Sequence, residues 1–233
     1  AEGDIGVVGA SGTGIQEVTT IIDRLGKGVT NAIGTGGRDL STEVGAITML
    51  DSIKALNQDP KVKVITVISK PPAKEVQEKV ENLLRSIDKP VVALFLGAKP
   101  EYQEAGIYHA YTLEETAVAS VQLSNGEEVK FTPSSIEGIE VDFEPEQKGI
   151  KAYYSGGTLA SEAAMMIKHT MNEEEIKDEG FTYKSESHEV IDLGDDMYTQ
   201  GKPHPMIDPE KRIEKLETSA DSEDTAVIML DNV

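Results

Sequence analysis

Two stretches of this chain place glycines and hydroxyls where an apolar, β-like run gives way to helical spacing. Val7-Val8 leads into Gly9-Ala10-Ser11-Gly12-Thr13-Gly14, and Tyr153-Tyr154 leads into Ser155-Gly156-Gly157-Thr158. Glycine lets the backbone turn tightly and approach a ligand, while the start of a helix presents unpaired N–H groups with about half a positive charge. Such a turn suits a phosphate or a carboxylate. The hydroxyls of Ser11, Thr13, Ser155 and Thr158 either cap the following helix or donate to the anion. The residues expected around a phosphate are Ser11, Gly12 and Thr13 from one turn and Gly156, Gly157 and Thr158 from the other, the two converging on one anion; the alternative is that each turn only connects strand to helix.

A third glycine loop, Gly34-Thr35-Gly36-Gly37-Arg38-Asp39, adds Gly36 and Gly37 to the phosphate set and carries the one Arg found in a glycine turn. Arg38 could hold a carboxylate or phosphate through a forked pair of hydrogen bonds. Farther on, Asp192-Leu193-Gly194-Asp195-Asp196 leads into Gly201-Lys202-Pro203-His204-Pro205-Met206-Ile207-Asp208-Pro209. Two prolines clamp His204 in a loop after a strand, a common location for chemistry. His204 and Arg38 are the catalytic candidates, with Asp195, Asp196 and Lys202 as substrate contacts. The two aspartates could also bind a hard cation or form a solvated turn. His109 reads as a packing residue in a weak strand, and His169 as a helix C-terminal partner of the dipole. No metal-chelating spacing is present. Gly9 to Gly14 is followed by Ile15, where a P-loop requires Lys, and the glycine order differs from the dinucleotide fingerprint, so neither motif assigns ATP or NAD.

The elements that must position these residues alternate regularly. Candidate strands are Ile5 to Gly9, Val29 to Ile33, Val62 to Ile68, Val91 to Leu96 and Ile107 to Ala110. Nearly continuous Val, Ile, Ala and Leu is the pattern of parallel strands covered on both faces. Helical spacing marks Ile15 to Leu25, Ser41 to Leu56, Ala73 to Ile87 and Thr112 to Leu123. These βα units predict a flavodoxin-like doubly wound α/β domain over residues 1–123, whose ligands sit beyond the carboxyl ends of the strands. Residues 124–148, with the Asn125-Gly126 turn and the run Glu137, Glu140, Asp142, Glu144 and Glu146, read as an acidic linker or small hairpin. Alternation resumes with Ile150 to Tyr154, helix Thr158 to His169, Val190 to Leu193 and Ala226 to Leu230. Residues 149–233 are therefore a second α/β domain, apparently incomplete, and the chain reads as a piece of a longer protein.

Composition narrows the function classes. The chain has 233 residues with 22 Lys+Arg and 42 Asp+Glu, a formal net charge of −20. That charge repels nucleic acid, which binds by phosphate neutralisation. The absence of Cys excludes disulfides, thiolate metal sites and Cys nucleophiles. With no long apolar run and no signal-peptide pattern at Ala1-Glu2-Gly3-Asp4, a cytoplasmic protein without membrane contact is expected.

Taken together, Gly3 to Thr13, Gly34 to Asp39, Ser69-Lys70-Pro71-Pro72, Tyr154 to Ala160 and Gly201 to Pro209 resemble the FdrA family, which is similar to succinyl-CoA synthetase and its CoA-ligase relatives. The resemblance covers essentially the whole chain. It implies that two helices from pseudo-symmetric flavodoxin-like domains point their N-termini at one phosphate, and the helices after Gly14 and Gly157 match those positions. A complete member would carry a CoA-binding Rossmann domain before Ala1 and more of the last domain after Val233. The expectation is thus no cofactor in this chain, with CoA possible only through such an N-terminal domain. The family's phosphohistidine lies in a Gly-His-Ala-Gly loop, but the corresponding Gly97 to Gly106 stretch has no histidine.

The resemblance then implies acyl or carbamoyl transfer, with carbamoyl phosphate, oxamate and free phosphate as the small molecules and allantoin breakdown as the setting. Partner subunits or a homo-oligomer would complete the enzyme. The alternatives are a succinate-CoA ligase-like acyl-CoA synthetase and a non-catalytic scaffold or regulatory subunit that binds phosphate ligands. Because the relevant loop lacks histidine, incubation with labelled nucleotide or carbamoyl phosphate is expected to leave no acid-labile label on the chain. Label retained on His109 or His204, read from an acid-sensitive gel, would overturn this.

Overall fold

Long apolar runs with both faces covered give the first unit its sheet. The order is β1 (Glu2–Gly9), α1 (Gly12–Arg24), β2 (Val29–Gly34), a short 3-10 turn (Gly37–Leu40), α2 (Ile47–Gln58), β3 (Val64–Ser69), α3 (Lys74–Leu84), β4 (Val91–Phe95), β5 (Ile107–Ala110) and α4 (Leu113–Ser124). All five strands are parallel in the order β2-β1-β3-β4-β5. This is the expected flavodoxin-like arrangement, with a crevice where the order reverses between β1 and β3. The computed structural model describes residues 1–70, 72–97, 99–135, 138 and 140–232, in two units, Ala1–Ser134 and Ser135–Val233. Pro71, Ala98, Ile136, Glu137, Ile139 and Val233 lie outside the described residues, and with them Pro71 of the Ser69–Pro72 strand end, Ala98 of the histidine-free stretch and Glu137 of the acidic run.

Every residue of β3 is buried. Alternate side chains serve opposite faces: Ile65 and Val67 pack with Met49 and Ile53 of α2 and Val76 and Val80 of α3. Val64 packs with Val92 and with Ala119 of α4. Each fully buried Val, Leu or Ile contributes about 1.5–3 kcal/mol. Thr66, wholly buried between these layers, bonds the Ser120 hydroxyl at 2.7 Å, so its polar atom is not orphaned.

One helix begins later than its spacing predicts. Residues 41–46 are not helical, and α2 starts only at Ile47. Gly45 (φ 67°) and Ala46 (φ 62°) take left-handed conformations that interrupt any helix there. The cap comes from outside the segment. Buried Asp39 accepts from Thr48 N–H and Met49 N–H, both at 2.8 Å, while its carbonyl accepts from Ala46 N–H at 2.7 Å.

The second unit contains β6 (Gly149–Tyr154), α5 (Gly157–Met171), β7 (Tyr183–Lys184), β8 (Glu189–Asp192), α6 (Asp196–Thr199), α7 (Glu210–Ala220) and β9 (Thr225–Leu230). The sheet order is β7-β8-β6-β9, with β6 parallel to β8 and β9 and the two-residue β7 antiparallel to β8. The sequence pattern accounts for β6, β8 and β9 but not for β7, α6 or α7. Helix α7 fully buries only Ser219; of its apolar side chains Leu216 is partly buried against Tyr153, Ile191 and Leu193 while Ile213 is exposed, a stripe too thin to read as a helix. No strand occurs among the described residues of 124–148, so the hairpin alternative is not realised there. Part of this segment belongs to the first unit: Gln122 of α4 brackets the Lys130 backbone at 3.0 and 2.8 Å, and Ser134 donates to Glu114 at 2.6 Å. Among the described residues no helix is long and apolar enough to cross a membrane.

Replacing Asp39 with Ala should lower unfolding stability by about 1–2 kcal/mol, the range for losing a helix cap. Denaturant titration checks this, and an unchanged midpoint would mean that α2 starts without help from Asp39.

Candidate functional site

The first glycine turn leaves β1 at the switch between β1 and β3. Ala10 N–H donates to the Ile68 carbonyl at 3.0 Å, pinning the turn to the neighbouring strand end. Ser11 then caps α1, its hydroxyl accepting from Gly14 N–H at 3.2 Å. No acidic residue stands in the first turn of α1. Gly12 is exposed, and a Cβ built on it meets nothing within 4 Å. Thr13 is half-buried beside it. The third loop runs alongside, because Thr35 N–H donates to the Gly9 carbonyl at 2.9 Å. Gly36 (φ 79°) needs glycine for its backbone, and both Gly36 and Gly37 face open space. Arg38 is exposed, with no hydrogen bond or ion pair on its side chain among the described residues. Neighbouring strand ends thus bring Ser11, Gly12, Thr13, Gly36, Gly37 and Arg38 to one edge.

The second turn is built differently. Where Ser11 caps the first helix, the cap position of α5 is Gly156, which has no side chain. Asp231, just beyond β9, supplies the missing carboxylate. It accepts from Ser155 N–H at 2.9 Å and Gly156 N–H at 2.7 Å. Arg212 of α7 holds it in turn, with Nη2 donating to Oδ1 at 2.7 Å, Nη1 donating to the Asp231 carbonyl at 3.0 Å, and a further contact to the Ser155 hydroxyl. The Asp231 side chain is 1% exposed and that of Arg212 18%. Burial first, then the Asp231 and Glu162 charges, push the Tyr154 phenol up to about 12. Thr158 is wholly buried, and Gly157 is half-buried. The expectation that this turn presents free donors to an outside anion is therefore corrected at Gly156, whose N–H is already engaged by the chain's own carboxylate.

His204 stands beside that turn. Its Nδ1 accepts from Met206 N–H at 3.2 Å. A Cβ on Gly194 would lie 2.6 Å from His204 Nε2 and 2.4 Å from the Ser155 carbonyl, so only glycine lets the imidazole rest against the β6 turn. Asp195 is exposed and caps α6, its Oδ1 accepting from Met197 N–H at 2.9 Å. Asp196 is exposed in the first turn of α6. Lys202 lines a small pocket of about 140 Å³ with Tyr198, Pro203, Pro205, Asp208 and Lys211, a lining that does not include His204. Among the described residues no three His, Asp or Glu side chains gather to hold a metal ion.

A larger cavity, about 430 Å³, opens at the ends of β4 and β5. His109 lines it rather than merely packing, and its Nε2 lies 3.0 Å from Glu104. The Arg85 guanidinium, hydrogen-bonded to Glu104 through Nε at 2.7 Å and Nη2 at 3.1 Å, holds that carboxyl below the usual range. His109, Glu104, Arg85, Arg212 and Asp231 were all outside the sequence-based site.

Comparison with known proteins finds two family matches. The CoA binding domain family matches residues 1–97, and the CoA-ligase family matches residues 153–233. The uncharacterized protein YahF of Escherichia coli is 42% identical over 245 residues, covering 99% of this chain and 47% of its own length. The alpha subunit of ADP-forming succinate–CoA ligase from Aquifex aeolicus is 34% identical over 95 residues, 41% of this chain and 30% of that protein. The corresponding subunit from Staphylococcus epidermidis is 29% identical over 141 residues, 58% and 45% respectively. Two separate stretches of the chain are thus similar to parts of the CoA ligases. It spans less than half the length of these three relatives. The α1 turn and Arg38 fall in the CoA-binding match, in a span read from sequence as flavodoxin-like with its CoA-binding domain ahead of Ala1. The α5 turn, His204, Arg212 and Asp231 fall in the CoA-ligase match, whereas His109 and Glu104 lie outside both.

Replacing Arg212 with Met leaves Asp231 buried without its cation and should cost about 3 kcal/mol. In the Arg212→Met/Asp231→Asn double variant part of that loss should return. Unfolding curves that show strictly additive losses would remove the coupling.

Proposed function

We propose that this chain is the phosphate-handling part of a CoA-ligase-like enzyme that passes an acyl or carbamoyl group between a phosphate and an acceptor. The N–H groups of Gly12 and Thr13 at the start of α1 take the phosphate, and Arg38 adds a charge-assisted, forked contact from the next loop. One observation carries this reading: the α1 turn, at the switch between β1 and β3, is open and has no acidic first turn, while the α5 turn already holds Asp231.

The chemistry follows from that placement. The acceptor's nucleophile attacks the acyl carbon, the carbon–oxygen bond to phosphate breaks, and the leaving phosphate gains charge. Donors fixed at the helix start stabilise that charge without having to reorient. A single helix start contributes about 0.3–1 kcal/mol when exposed and up to about 2 kcal/mol when partly buried, so Arg38 is needed beside it.

Coenzyme A is the alternative occupant of this edge, held there by its pyrophosphate in place of the acyl phosphate. Gly12, Gly36 and Gly37 leave room beside Arg38 for a pyrophosphate, because a Cβ at any of them meets nothing within 4 Å. Where it is bound, CoA supplies the thiol that accepts the acyl group. The succinate–CoA ligase alpha subunits among the relatives support an acyl-CoA synthetase reading. Direct transfer, such as carbamoyl transfer from carbamoyl phosphate to oxamate, is the reading that needs only the phosphate contacts at α1 and Arg38, with other subunits completing the enzyme.

Titration of the labelled chain with carbamoyl phosphate should shift the Gly12 and Thr13 amides, and Arg38→Ala should weaken binding about tenfold with the melting temperature unchanged. With its partner subunits, the chain should release phosphate only when oxamate is present. Binding without release under any acceptor would leave a regulatory phosphate-binding subunit; shifts confined to residues outside α1 would refute the site.

A further inference from the structure

The cavity at the ends of β4 and β5 lies beyond the α1 turn in sheet order and takes no part in the transfer proposed there. Its polar wall is over-determined. His109 has a side chain only 10% exposed, and Gln103 brackets its backbone, accepting from His109 N–H at 2.7 Å and donating to its carbonyl at 2.8 Å. The Tyr102 ring meets the imidazole edge-on at 5.6 Å. Glu104, kept ionised by Arg85, can only accept, so the proton of the neutral ring sits on Nε2. That leaves Nδ1 with a lone pair and no partner among the described residues. Nδ1 is not among the fully buried unpartnered side-chain atoms, so part of its surface is open, on a residue that lines the cavity. On the lining stands exposed Lys99, whose ammonium also has no partner among the described residues.

We propose that this cavity is a separate ligand site for a small hydroxycarboxylate, whose hydroxyl donates to His109 Nδ1 and whose carboxylate pairs with Lys99. A volume of about 430 Å³ admits such a molecule, being near the lower end of the roughly 300–1,000 Å³ typical of ligand pockets. Phe95, Leu96 and Pro100 supply apolar wall for its carbon skeleton. A site built to hydrogen-bond a hydroxyl discriminates strongly against the analogue without it, because the site's own polar atom is then stranded.

Lactate and propionate share one carbon skeleton and differ by that hydroxyl, so they serve as probes. With the full chain labelled at histidine nitrogens, lactate should shift the His109 Nδ1 resonance and bind about tenfold tighter than propionate. Lys99→Ala, on an exposed residue, should weaken lactate about fivefold without changing the melting temperature. Equal binding of the two acids, no detectable binding of lactate, or shifts that bypass His109 would each overturn the proposal. None of these outcomes depends on whether Gly12 and Thr13 bind phosphate.

Discussion

A helix that follows a parallel strand starts with N–H groups that have no partner inside the helix, and this fold must satisfy them at the very edge where ligands bind. The chain solves the problem differently each time. Ser11 caps α1 with its own hydroxyl, Thr112 does the same for α4, and Asp39 reaches to α2 from a separate turn. Ahead of α5, the donors of Ser155 and Gly156 go to Asp231. Which donors are consumed internally decides where an outside anion can go.

The contrast between the two glycine turns follows from one position. Ser11 carries a hydroxyl where the other turn has Gly156, so the first turn is capped without help and the second needs a carboxylate from elsewhere. Bringing that carboxylate inside has a further consequence. A buried negative charge demands a cation, and Arg212 answers from α7, tying α7, β9 and the β6 turn into one polar cluster. His204 packs on the same turn through Gly194, so the histidine loop inherits its position from this cluster.

Electrostatics at the anion edge are local. The formal charge of −20 is spread over a surface where salt screens beyond about 8 Å at physiological ionic strength. Within that range α1 offers donors and Arg38 a cation, with no carboxylate in the first helical turn. At the other end of the sheet, Arg85 and Glu104 fix the proton on one His109 nitrogen and so define what the other can do. Both arrangements use Arg, whose planar fork can hold a carboxylate at two points.

From sequence alone, the parallel sheets were legible because strands covered on both faces must be apolar throughout: β5 stands where Ile107 to Ala110 predict it, and β3 runs Val64–Ser69 where Val62 to Ile68 was expected. Helix α7 was not legible, since only Ile213, Leu216 and Ala220 break its run of polar residues, and the start of α2 was misjudged because its cap, Asp39, lies nine residues before the Thr48 amide it accepts from. The glycine turns announced themselves through local backbone chemistry, which needs only neighbouring residues. Their occupancy did not. Asp231 meets Gly156 across 75 residues only because β9 pairs in parallel beside β6, and Arg85, Glu104 and His109 meet only because α3, the β4–β5 loop and β5 converge. Local conformation is written in adjacent side chains, whereas the pairing of charges across strands exists only once the sheet has closed.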